Sequence, residues 1–182
     1  MEIILLRHGP PDFKAELVKR KKRIKASLDT YANSRVSSVP PDHVVESVSD
    51  VNACVTSTLP RALDSAELLG FENCIAMEQF KEAGLPHPEY LPVSMPWNLF
   101  LLIYRVGWYF GYSRNCAGRK KDLARVREGG VYLSKLASES GRVLLVGHGV
   151  INWMLCKELR GLGWSVSRKS GNGYWSYVSL TS

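Results

Sequence analysis

The sequence predicts an α/β protein: a three-layer sandwich with a mainly parallel central sheet and helices on both faces. Two observations carry that prediction. The apolar runs Ile3–Leu6 and Val143–Val146 show no polar alternation, which is the pattern of strands buried on both faces. Strand-like runs then alternate with helical patterns along the chain, as parallel strands joined by crossover helices require. Each of the two apolar runs also delivers a histidine followed by glycine, Arg7-His8-Gly9 and Gly147-His148-Gly149. In open parallel sheets the carboxyl ends of the strands are where ligands bind.

Taken in order, the first strand runs from Glu2 to Arg7, and Pro10-Pro11-Asp12 forces an extended exit. Residues 13–32 read as a helix, with Phe13, Leu17, Ile24, Leu28 and Tyr31 on its apolar face. Residues 36–41 are loop, and Asp42 is placed to cap a short helix over 43–48. His43 reads as an exposed histidine of that turn. A second strand spans 52–56. A helix follows to Leu69, with Pro60 in its first turn and Gly70 closing it. A third strand covers 74–77. From 83 to 118 the chain is irregular and aromatic-rich, an insertion with one helix near 97–110. Residues 119–139 form another helix, weakened at Gly129-Gly130. Strand four is 142–147, helix 149–160 follows, and residues 174–180 suit a final strand at a sheet edge. No internal repeat or linker divides the chain, so residues 1–182 are expected to form one domain.

Composition narrows the class. With 182 residues, 45% hydrophobic and 23% charged, the chain has material for one core. The formal net charge of +7 favours anionic partners. Seven Lys/Arg fall between Lys14 and Lys25 against the single acid Glu16; that run is either a solvated helix face or a cationic wall beside an anion-binding mouth. The four cysteines, Cys54, Cys74, Cys116 and Cys156, form no C-x-x-C pair, which argues against a zinc site. They are expected to be reduced, buried thiols, in keeping with a cytoplasmic location. Glu2 stands where a signal peptide would be basic. The apolar stretch 96–110 is shorter than the roughly 20 residues of a membrane span and is interrupted by Arg105; a helix lying on a membrane, or lidding a site, fits it.

Four blocks then stand in order at strand or loop ends: Leu6-Arg7-His8-Gly9; Thr56-Ser57-Thr58-Leu59-Pro60-Arg61-Ala62; Phe80-Lys81-Glu82-Ala83; and Val146-Gly147-His148-Gly149. Together they resemble the histidine phosphatase superfamily, the group that includes the cofactor-dependent phosphoglycerate mutases. Tyr31, Pro40 and Pro41 resemble the first half of its small bacterial phosphatase members. The resemblance implies a phosphoglycerate mutase-like fold and a phosphatase acting on phosphate monoesters without metal or cofactor.

The chemistry suits those residue types. A phosphomonoester carries about two negative charges near neutral pH, so a neutral imidazole is an appropriate attacking group. By the resemblance, His8 is the nucleophile and forms a phosphohistidine. Arg7 and Arg61 hold the phosphoryl oxygens with bidentate geometry, and Gly9 lets the backbone approach them. His148, protonated by the bound phosphate, donates to the same oxygens. Glu82 is the proton donor to the leaving group, with Glu78 one turn away as the alternative. His87 reads as a loop histidine or as part of the mouth, and the aromatic insertion as core or as a lid shaping leaving-group specificity.

The sequence also departs from the family pattern. Pro10, Pro11, Asp12, Phe13 and Lys14 stand where many members carry a polar residue and an asparagine that helps hold phosphate, which disfavours a mutase. Ser65 replaces the usual threonine. Gly147 stands where serine or threonine is common, a change expected to alter only packing. The expected partner is a small phosphorylated substrate, with neither metal nor nucleic acid. Rival readings are a phosphoglycerate-type mutase, a protein phosphohistidine phosphatase, and a non-catalytic module docking nucleic acid or membrane through Lys19–Lys25.

Overall fold

A computed structural model describes residues 1–14, 17–19 and 24–182. In chain order the elements are β1 (Glu2–Arg7), β2 (Leu17–Val18), α1 (Ile24–Ala32), α2 (Asp42–Val48), β3 (Ala53–Ser57), α3 (Pro60–Leu68) and β4 (Ile75–Met77). A 3₁₀ turn (Glu78–Phe80) follows, then β5 (Met95–Pro96), α4 (Trp97–Tyr109), α5 (Arg119–Ser140), β6 (Arg142–Gly147), α6 (Gly149–Gly161), β7 (Ser165–Lys169) and β8 (Tyr177–Thr181).

The main sheet has the order β4-β3-β6-β1-β8-β7. β1 pairs parallel with β6, placing Arg7 opposite Gly147. β3 is parallel to both β6 and β4, and β8 is antiparallel to β1 and β7. Because successive side chains of a strand alternate between faces, β1 and β6 each feed two cores. Ile3, Leu5, Val143 and Leu145 pack under α5 and α6 with Phe80, Leu133 and Leu155. Ile4, Leu6, Leu144 and Val146 pack on the opposite face with Val44, Val48, Ala62 and Ala66 of α2 and α3. This is the predicted sandwich, with helices on both faces.

Several local expectations are corrected. Of the expected helix over 13–32, the described residues are helical over Ile24–Ala32. Leu17–Val18 is instead a short strand antiparallel to Met95–Pro96, which ties the N-terminal segment to the insertion. Most of the basic run, residues 20–23, lies outside the described residues. Asp42 is the first residue of α2 rather than its cap, and Pro41 precedes it without a side-chain capping bond. The last strand is not at an edge: β8 lies between β1 and β7. The edge strand β7 is exposed along its whole length, so it carries no apolar alternation that a sequence reading could detect. α5 runs unbroken through Gly129-Gly130, where the glycines allow close packing. A Cβ on Gly129 would sit 2.8 Å from the Phe80 ring, and one on Gly130 would sit 3.0 Å from Glu158.

Cys54 and Cys74 are joined by a disulfide, which overturns the expectation of four thiols. β3 and β4 run side by side with Val55 opposite Ile75, so the preceding residue of each strand, 54 and 74, is brought together. Cys116 and Cys156 are free.

The insertion builds a third core. Trp97 and Phe100 of α4 pack with Val18, Ile24 and Leu91, and Phe13, Leu28 and Tyr31 border them. Trp108 anchors the other end of α4: its Nε1 donates to Asp122 Oδ2 (3.2 Å), which also accepts the Gly84 N–H (3.0 Å). Among the described residues, no helix is long and apolar enough to cross a membrane.

Candidate active site

The carboxyl ends of β1, β3 and β6 converge, as strand ends in an open parallel sheet do. β1 delivers Arg7 and His8, β3 delivers Ser57 and leads into Arg61 at the start of α3, and β6 delivers His148 ahead of α6. The rings of His8 and His148 meet edge to face with centroids 4.9 Å apart. Both side chains are buried, as is Arg61.

The backbone around His8 is held tightly. Its N–H donates to the Gly147 carbonyl (3.1 Å), joining the two His-Gly segments. The Gly9 N–H donates to Ser65 Oγ (2.9 Å), and that hydroxyl donates to the Arg61 carbonyl (2.6 Å). Gly9 has no room for a side chain, since a Cβ would lie 2.5 Å from the Trp175 ring and 2.7 Å from Val36. Trp175 itself adopts a left-handed backbone, φ 58°, which is uncommon for a bulky residue. Its N–H reaches the Arg7 carbonyl (3.2 Å).

The tautomer of His8 follows from its neighbours. Nδ1 faces the Gly9 carbonyl at 2.6 Å, which can only accept, so Nδ1 carries the proton. Nε2 is then the lone-pair nitrogen, and it accepts from Arg61 Nε at 3.1 Å. The Arg61 Nη1 is fixed by the carbonyls of Tyr31 (3.3 Å) and Ala32 (3.1 Å). Burial, then the charge of Arg61, push the His8 pKa down to about 3, so the imidazole is neutral near pH 7. Burial also lowers the His148 pKa well below its usual value, with His8 and the arginines adding to it. In this arrangement the histidinium expected at His148 is disfavoured, and a nearby anion is needed to reverse that. His148 Nε2 lies 2.8 Å from Ser57 Oγ.

Arg7 reaches the pocket from the other side. Its Nη1 donates to the Asn172 carbonyl (3.0 Å), and its guanidinium stacks 4.3 Å from the Tyr174 ring centroid. Arg7 Nε and His148 Nδ1 are buried without a hydrogen-bond partner among the described residues. Glu82 lies across the start of α6: Oε1 accepts from Ala83 (2.9 Å) and Ile151 (3.2 Å), and Oε2 accepts from Val150 (3.4 Å). A helix N-terminus suits a carboxylate in this way. Glu78 differs: it is exposed and engaged by Lys81 Nζ (2.7 Å) and Thr58 Oγ1 (2.8 Å), which hold its carboxyl below the usual range. His87 is buried in the insertion, its Nδ1 3.1 Å from the Leu85 carbonyl, and lines a cleft with Lys25, Glu89, Arg114 and Asn115.

Arg7, His8, Gly9, Arg61, Glu82 and His148 thus gather at one end of the sheet. Sequence reasoning missed Ser57, Asn172 and Tyr174. Ser57 carried a usable signal, its place at the end of a buried strand. Asn172 and Tyr174 sit in a glycine-rich turn between β7 and β8, with nothing to single them out. The Gly147 departure reaches past packing: a Cβ there would collide with Asn152 Oδ1, and Asn152 Nδ2 donates to the Leu6 carbonyl (2.9 Å).

No protein-family model and no curated protein sequence matches the chain. Solved structures do match. A mycobacterial hydrolase is 19% identical with a TM-score of 0.63, over 98% of this chain and 80% of that one. A mycobacterial glucosyl-3-phosphoglycerate phosphatase complexed with VO3 is 17% identical (TM-score 0.60; 99% and 92% covered). A phosphoserine phosphatase from Entamoeba histolytica, in complex with 3-phosphoglyceric acid, is 15% identical (TM-score 0.57; 100% and 95% covered). The α/β fold with its mainly parallel sheet is shared with these proteins.

Proposed function

We propose that residues 1–182 form a single histidine phosphatase domain, a metal-independent hydrolase of phosphate monoesters working through a phosphohistidine at His8. The observation that carries this reading is the state of His8: neutral, its lone pair on Nε2, and that nitrogen aimed at the Arg61 guanidinium. That lone pair faces the guanidinium that would hold the phosphoryl group, and it is released for attack on phosphorus when the group's oxygens take over the Arg61 N–H.

The residues take the following roles. Arg7 and Arg61 hold the equatorial oxygens, where fixed cations supply most of the acceleration in phosphoryl transfer. The unpaired Arg7 Nε and His148 Nδ1 are donor positions that an oxyanion satisfies. As a dianion binds beside His148, its charge raises the ring's proton affinity, and the imidazole gains a second donor. His8 Nε2 forms a bond to phosphorus as the ester P–O bond breaks, and Glu82 protonates the departing alkoxide. In the second step water attacks the phosphohistidine, Glu82 takes its proton, and inorganic phosphate leaves as the N–P bond breaks. Glu82 is preferred to Glu78 because its carboxylate accepts from the first turn of the helix that follows His148, whereas Glu78 is committed to Lys81 and Thr58. The likeness of fold to phosphatases supports the reaction class. The Cys54–Cys74 disulfide removes the thiol-based reason for a cytoplasmic location, since such bonds persist in oxidising compartments.

The test is His8→Ala assayed on an aryl phosphate with excess chelator. The wild-type protein is expected to release phosphate and the variant to lose nearly all activity. Acid-labile, base-stable incorporation of phosphate into the wild-type protein is expected to require His8. Retained turnover in the variant refutes the assignment, and loss of wild-type activity in chelator refutes its metal independence.

A further inference from the structure

We propose that the outer face of α4 docks on the surface of an anionic lipid bilayer. The inner face of this helix is spent on Trp97, Phe100 and Trp108. Its outer face is apolar and open: Leu99, Leu102, Ile103, Val106, Tyr109 and Phe110 are exposed, Leu102 at 61% and Phe110 at 83%. At 100° per residue these side chains share one stripe about 120° wide. Contiguous exposed apolar surface of this kind marks an interaction site.

Charge selects the occupant. From Tyr90 to Lys121 the chain holds no Asp or Glu and five cations, Arg105, Arg114, Arg119, Lys120 and Lys121. Arg105 is engaged internally, its Nη1 donating to the Ala83 (3.2 Å) and Gly84 (2.9 Å) carbonyls. The other four lie beyond the C-terminal end of α4. Arg114, Lys120 and Lys121 are exposed, and Arg119 stacks on Tyr109 with its guanidinium 4.7 Å from the ring centroid. Arg114 shares its cleft with Glu89, while Arg119, Lys120 and Lys121 form a cationic border; an apolar stripe followed by such a border is the surface that seats a helix at the headgroup boundary of an anionic membrane. A second copy of the chain fits worse, because residues 90–121 carry no carboxylate to meet the partner's cations. With 13 residues, α4 lies on a membrane rather than crossing it. The helix is also close to the catalytic cup: Trp97 packs against Tyr31, whose ring lies 5.0 Å from the Arg61 guanidinium. Docking does not depend on the phosphatase chemistry.

The full chain is mixed with phosphatidylcholine vesicles, with or without phosphatidylglycerol, and sedimented. Binding is expected only to the anionic vesicles and is expected to weaken with salt. Leu102→Glu combined with Ile103→Glu, and separately Lys120→Glu combined with Lys121→Glu, are expected to lower partitioning at least about 10-fold. Circular dichroism should remain unchanged, as should turnover of a soluble ester. Absence of binding to anionic vesicles overturns the proposal, as does equal binding by both variants. A concentration-dependent dimer abolished by Leu102→Glu, or binding to duplex DNA without binding to vesicles, overturns it in favour of those partners.

Discussion

Arg61 Nε donates to His8 Nε2 across 3.1 Å, and the same guanidinium is pinned by two carbonyls at the end of α1. One cation therefore fixes the tautomer of the histidine, disfavours its protonation and faces the position of an incoming phosphoryl group. Replacing Arg61 by Lys keeps the charge and loses the planar fork. The expected result is a loss in kcat/KM of roughly 10²-fold, of the size seen when one preorganised donor is removed. Steady-state kinetics on an aryl phosphate check it.

The pH profile follows from the same contact. With its pKa pushed down to about 3, His8 is unprotonated throughout the range from pH 4 to 8, so its protonation sets no limb of kcat/KM there. The phosphate ester's own second ionisation, with a pKa of about 6, sets an acid limb; a further one-proton limb near pH 6.5 would assign His8 its ordinary pKa and contradict the geometry. The His8→Ala variant, expected to lose at least roughly 10³-fold in activity, provides the background.

Stability carries the matching signature. Between pH 6.5 and about 3 the unfolded chain protonates His8 and the folded chain does not, so the unfolded state binds more protons and stability rises with pH. His148 adds in the same direction. The contribution is full above pH 6.5 and is lost as pH falls toward 3; for His8 it is on the order of 5 kcal/mol across the window. Urea unfolding at pH 7.5 and pH 4.5 should show a lower midpoint at the acid value, and His8→Asn should reduce the difference.

The sheet and the meeting of Arg7, His8, Arg61 and His148 at one end of it were legible because they rest on long-range features written locally. Buried parallel strands leave unbroken apolar runs, and the residues that end them fall together whatever the loops do. The features that escaped have other origins. β7 is held by backbone bonds to β8 and carries five exposed residues, so no hydrophobic period marks it. The pairing of Cys54 with Cys74 depends on the register of β3 and β4, which spacing does not reveal. Leu17 fits a helical stripe in sequence, but Met95 and Pro96 offer it and Val18 a strand partner, and tertiary pairing overrides the local pattern. Tyr174 reaches His8 from a turn 166 residues away, a contact visible only once β8 is seen to lie beside β1.

The acid role proposed for Glu82 separates leaving groups. An alkyl phosphate expels a strongly basic alkoxide that needs a proton as the P–O bond breaks, whereas 4-nitrophenolate leaves without one. Glu82→Gln preserves the size of the side chain and removes the acid. The expected loss is about 10²- to 10⁴-fold on an alkyl ester and much less on 4-nitrophenyl phosphate. The corresponding change at Glu78, exposed beside Lys81, should leave both rates near wild type. Equal losses on the two esters for Glu82→Gln would move the acid role elsewhere.

Gly129 decides between two effects of opposite sign. In a free helix, Gly→Ala is favourable by about 1 kcal/mol. In α5 the new Cβ would lie 2.8 Å from Cε1 of Phe80 and 3.4 Å from Leu155 Cδ2, and both are fully buried. A ring without exposed surface cannot swing aside, so the backbones of α5 and the 3₁₀ turn must separate, an overpacking cost of about 1–3 kcal/mol. The balance is a net destabilisation of about 1 kcal/mol by Gly129→Ala, since the packing cost exceeds the propensity gain. Because Phe80 lies two residues before Glu82, the displacement is passed to the carboxylate, and activity on alkyl esters should fall with stability. Gly141→Ala provides the contrast: its φ of 80° is strained for any side chain, but a Cβ there meets nothing within 4 Å. It should cost stability and leave the ester rates unchanged. Thermal unfolding and alkyl-ester kinetics on both variants distinguish packing against Phe80 from backbone strain.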